Sequence, residues 1–184
     1  MSVLISVVAS VLIGATAVLF AVRWYRGRGA RVITCPDNEQ VQAVEVDAAR
    51  AALTSVFLGR TDYQLTACTR WPEKAGCGQE CVTQIHVDPH HCLVRSILAD
   101  WYLGRSCVYC GKPFGEINWH DHKPALYDSS REKTVEWTDI HPELVFAALE
   151  TMEPVCWNCH IAESFRREHG DLVTDRRFPR QGAM

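Results

Sequence analysis

The chain has 184 residues, a formal net charge of −3 and nine cysteines, which allows one ordinary domain or two small ones. So even a charge gives no overall pull toward nucleic acid, and the chain carries no phosphate loop, dinucleotide fingerprint or nucleophile with a base partner, which excludes most enzyme classes. Four of the nine thiols fall in two Cys-x-x-Cys pairs, a usage that points to metal binding before disulfides.

The first element is the uncharged run Val3–Val22, "VLISVVASVLIGATAVLFAV", the length an α-helix needs to cross the hydrocarbon core of a bilayer. A cleaved signal peptide is the competing reading. No Lys or Arg precedes the run, however, and it passes directly into "RWYRGRGAR" without a small-residue cleavage site. Arg23, Arg26, Arg28 and Arg31 follow the run, so the positive-inside rule predicts a single-pass protein of the cell (inner) membrane with its soluble part in the cytoplasm. Trp24 and Tyr25 suit an interfacial belt. Residues 1–24 are the expected anchor and 25–33 a basic linker.

Residues 34–104 form the first expected module. "RVITCPDNEQVQAVEVD" predicts a hairpin turning at "PDNE", with Val44 and Val46 alternating against Glu45 and Asp47. Asp47 can cap a helix over "AARAALTSVFLG" that stops at Gly59, and a short strand over "YQLTACT" follows. A helix is expected from Gln79, and a second one restarted at Asp88-Pro89 runs to Gly104. Cys35, Cys68, Cys77 and Cys81 are a plausible second zinc site, because Cys77 and Cys81 stand one turn apart if the helix begins there. Cys92, His86, His90 or His91 could substitute as ligands, an iron–sulfur cluster could use the same thiols, and Cys92 also reads as an unmetallated core residue.

Residues 105–175 form the second module, and 176–184 a polar tail. Cys107, Cys110, Cys156 and Cys159 have the two-pair spacing of a four-thiolate Zn2+ site. Between the pairs the sequence predicts a hairpin turning at "DSSRE" and a short helix over 142–150, and a final helix follows Cys159. Knuckle, hairpin, then knuckle leading into a helix is the order of a treble clef. Cys156 to His160 also reads Cys-x-x-Cys-His, the attachment signal for c-type haem.

The sequence "CVYCGKPF", then "HDHKPAL", then "CWNCHIAE" resembles the zinc-bearing HNH endonucleases over about residues 107–169. The resemblance implies that His122 is the general base, that Asp121 and His160 help to hold a catalytic divalent cation, and that the four cysteines hold structural zinc. The central Asn of that family, ahead of the last cysteine pair, is missing. In the plainer reading of "WHDH", Trp119 packs in the core while His120 and His122 lie exposed on a hairpin.

Together these features predict an α+β protein: one N-terminal transmembrane helix followed by two small cysteine-rich zinc-binding modules, the second treble-clef-like. Its expected function is to dock or assemble a protein partner at the membrane, with nucleic acid not the expected partner. An HNH-like nuclease is one alternative, and an electron-transfer protein with haem or an iron–sulfur cluster is another.

Overall fold

The structure, a computed structural model, describes residues 2–74 and 76–172, so the expected tail 176–184 lies outside the described residues. The chain separates into two compact units, Met1–Val94 and Arg95–Met184.

The first unit opens with α1 (Ser2–Gly27), a helix without a buried residue that is long and apolar enough to cross a membrane. The expected linker 25–33 is largely structured: residues 25–27 continue α1, and Arg31–Thr34 form β1. Arg31 explains the junction. It is only 2% exposed, and its guanidinium donates to Gly27 O (3.0 Å) and Pro89 O (2.8 Å). A charge-bearing side chain so deeply covered is tolerated because both of its terminal nitrogens donate to carbonyls.

β1 pairs antiparallel with β2 (Val41–Val46), and β2 with β3 (Leu65–Cys68), in the order β1-β2-β3. Val44 and Val46 point into the core while Glu45 stays exposed, as the alternation predicts. Between β2 and β3 lies α2 (Ala48–Leu58), which packs alongside α1 with Leu53 and Phe57 across from Leu12, Ile13 and Phe20. The Asp47 carboxylate accepts from Arg50 N at 2.9 Å, and Gly59 closes the helix in the left-handed conformation (φ 67°). The Asp47→Ala substitution is therefore expected to lower the stability of the first unit by about 1 kcal/mol, read from its denaturant transition in detergent.

Two helix starts differ from expectation. Gln79 adopts φ 57°, so α3 begins only at Val82 (Val82–Val87) with Cys81 at its cap. Cys77 and Cys81 therefore do not share a helical turn. Asp88 caps a tight turn instead of the next helix, accepting from His91 N at 3.0 Å, and α4 starts at Val94 (Val94–Tyr102). The core of this unit gathers Ile33, Val44, Val46, Leu65, Cys81 and Ile85.

The second unit takes up most of α4, so the division falls at Val94 instead of after Gly104. Tyr102 shows why: fully buried, it donates its hydroxyl to Ala125 O at 2.7 Å, while Trp101 Nε1 donates to Leu149 O at 3.1 Å. The sheet here has the order β5-β4-β6, all antiparallel, with β4 (Ala125–Asp128) buried along its whole length between β5 (Lys133–Glu136) and β6 (Glu153–Val155). The hairpin turns at "DSSRE" as expected, because Asp128 Oδ1 accepts from Ser130 N, Ser130 Oγ and Arg131 N. β6 is unforeseen. It is short and contains Pro154, which an edge strand tolerates because its missing N–H faces away from the ladder. A 3-10 turn (Pro142–Leu144) leads into α5 (Val145–Thr151), and α6 (Trp157–Glu168) starts from Cys156 as its cap, ahead of Cys159.

Candidate metal centre

The two Cys-x-x-Cys pairs meet. The sulfurs of Cys107, Cys110, Cys156 and Cys159 all lie within 4.8 Å of one another. Cys107 and Cys110 come from a knuckle closed by two backbone hydrogen bonds, Cys107 N to Lys112 O (2.9 Å) and Gly111 N to Cys107 O (2.8 Å). Gly111 has φ 70°, a conformation that glycine adopts without a Cβ clash. The other pair comes from the junction of β6 and α6. Cys156 N donates to Cys107 Sγ (3.3 Å), and the Cys110 and Cys156 sulfurs stand 3.7 Å apart. The sheet fixes this approach, since Val108 N donates to Pro154 O (3.0 Å).

The sulfurs belong to the core of the unit: Cys107 and Cys159 are buried with Ala125, Tyr127 and Val155, while Cys110 is exposed at the rim. Burial opposes charge on Cys107, but the amides of Cys156, Cys110 and Tyr109 outweigh it and hold the thiol below its ordinary range. Burial pushes Cys156 up, and Cys159 rises with it, through burial and through the bonds it shares with Cys156 and Cys110. Four thiols brought this close together without a cation carry opposing demands, since burial and mutual repulsion work against charge on them. A divalent cation removes the conflict, and four sulfurs at this spacing fit a thiophilic ion in tetrahedral coordination.

The remaining predicted residues take different places. His122 follows Asp121 in a loop ahead of β4, its Nδ1 2.7 Å from Asp121 Oδ2, with both side chains largely exposed. It lines a cleft of about 330 Å³ together with Lys112, Phe114, Asn118, Trp157 and Asn158. His160 is turned away into the core, 6% exposed, with Nδ1 2.8 Å from Thr134 Oγ1 and Nε2 3.7 Å from Glu136 Oε1. Burial holds it below the ordinary imidazole range. Thr134 and Glu136, which alternate along β5, orient this histidine; the motif Cys-x-x-Cys-His alone does not reveal them. Trp119 is half-buried against Trp137, their rings 5.5 Å apart, and His120 is exposed.

In the first unit Cys35 follows β1, Cys68 ends β3, Cys77 lies in the following loop and Cys81 caps α3. Among the described residues only the tetrad of the second unit brings its ligand atoms within 4.8 Å. His86 packs edge-on against Tyr63, and His90 and His91 pack against each other.

Comparison with protein-family models, with curated proteins and with solved structures finds no match to this chain.

Proposed function

We propose that the protein is a single-pass membrane protein whose metal-stabilised cytoplasmic region docks a protein partner at the membrane surface. The closed ligand set of the second unit carries this reading: four sulfurs fill the coordination sphere of a tetrahedral ion such as Zn2+ and leave no position for water or substrate, as structural sites do. The succession of knuckle, β4–β5 hairpin and a second cysteine pair at the start of α6 supports a treble clef. The arginines after α1 support a cytoplasmic placement. α6 leaves Ile161 and Phe165, one turn apart, exposed as a contact face.

A photo-crosslinking residue placed at Ile161 of the full chain in its native membrane is expected to give one discrete protein adduct, and Cys159→Ser is expected to abolish it. The second reading, an HNH-like nuclease, draws on the Asp121–His122 pair beside the cleft. Magnesium-dependent DNA cleavage by the purified full chain, lost in His122→Ala, would replace docking with that reading. A chain with visible iron bands would replace it with electron transfer.

A further inference from the structure

The segment 34–41 of the first unit repeats the metal knuckle of 106–113 bond for bond. Cys35 N donates to Gln40 O (2.9 Å) and Glu39 N to Cys35 O (2.8 Å), matching Cys107 N to Lys112 O (2.9 Å) and Gly111 N to Cys107 O (2.8 Å). Thr34 pairs with Val41 at the base of one knuckle, as Ser106 pairs with Pro113 at the base of the other. Glu39 takes φ 57° where Gly111 takes 70°. A non-glycine residue in this region is uncommon and marks a backbone held by its surroundings. The amides two and three residues ahead donate to the sulfur in both knuckles: Asp37 and Asn38 to Cys35, Tyr109 and Cys110 to Cys107. Asn38 stands where the second knuckle has Cys110, so this knuckle offers one sulfur and needs three from elsewhere.

We propose that the first unit holds a second thiophilic metal ion, with Cys35, Cys68, Cys77 and Cys81 as its ligands. Two further observations support that set. Cys81 is buried in the core of the unit, and Cys68 packs against the same cluster. Cys77 Sγ already accepts an amide bond, from Gln79 N at 3.4 Å, a bond made possible by the left-handed turn at Gln79. The four sulfurs are spread more widely than the tetrad of the second unit, and Arg70 Nη1 donates to Cys35 Sγ at 3.1 Å while its other nitrogen pairs with Asp37. That guanidinium offsets charge on a thiolate, and the binding of an ion requires the four sulfurs to move closer together. Cys92 packs against the same cluster, but its sulfur faces Gln84 O (3.9 Å), so it is left out of the set.

The test is a metal count on the full chain in detergent under reducing conditions. Titration of the apo-chain with Co2+, followed by the sulfur-to-metal charge-transfer band, is expected to break at two equivalents. Zinc analysis of the chain purified without added metal is expected to give two ions. The double variant Cys68→Ser/Cys81→Ser should keep one, and Cys156→Ser/Cys159→Ser should also keep one. A wild-type break at one equivalent overturns the proposal without reference to any variant. A second ion that survives Cys68→Ser/Cys81→Ser overturns it as well.

Discussion

Stripping metal from the full chain in detergent is expected to unfold the second unit while α1 stays helical. The strands of that unit have only four, four and three residues, and two of the buried residues in its core cluster are the candidate sulfur ligands Cys107 and Cys159. A structural zinc contributes on the order of 10–16 kcal/mol to folding, whereas a whole domain is typically stable by about 5–15 kcal/mol. Loss of such an ion would therefore remove as much free energy as a typical whole domain has. What remains is a set of buried thiols that cannot all ionise and an α6 whose first turn has lost its tie to the knuckle. Circular dichroism should lose sheet and part of the helical signal on chelation, and limited proteolysis should open sites across residues 105–168. Cys159→Ser should reproduce both changes with metal present. An unchanged proteolytic map after complete metal removal would show that the apolar core suffices alone.

The second large effect lies in α1. Ile13→Arg places a guanidinium at the middle of the apolar run, where insertion scales assign a cost of roughly 2.5–3.5 kcal/mol. The membrane-integrated share of the chain, resistant to alkaline extraction, should fall steeply. Val3→Arg, at the end of the run, should change little, because a long cationic side chain there can reach the interface. Equal behaviour of the two variants, or extraction of the wild-type chain by alkali, would sink the reading of α1 as a membrane span.

The parts of this fold that the sequence reveals are those dictated by local chemistry. An uncharged run long enough to span a bilayer marks α1, Asp47 and Gly59 bracket α2, "DSSRE" turns the β4–β5 hairpin, and the two Cys-x-x-Cys pairs bring their four sulfurs together. What stayed hidden depends on tertiary context. β6 is too short and too interrupted by Pro154 to show a period, and it exists because β4 offers it an edge. Gln79 turns left-handed against its propensity and delays α3. The ring of His160 is held by Thr134 and Glu136 from a strand twenty-odd residues away, a distance no motif can encode. The knuckle at Cys35 was concealed for a chemical reason: with Asn38 in place of a second cysteine, its backbone repeats that of Cys107 while its sequence does not.

The junction between α1 and β1 sets how far the soluble region can search. A flexible tether of the nine residues 25–33 would have let the first unit wander by roughly 5–6 Å times the square root of its length, about 17 Å from its exit point. Arg31 instead clamps the last turn of the helix to the start of the sheet through Gly27 O, and α2 lies against the side of α1. α1 and the sheet are thus joined without a free tether, so a rotation or tilt of α1 is passed directly to β1 and α2.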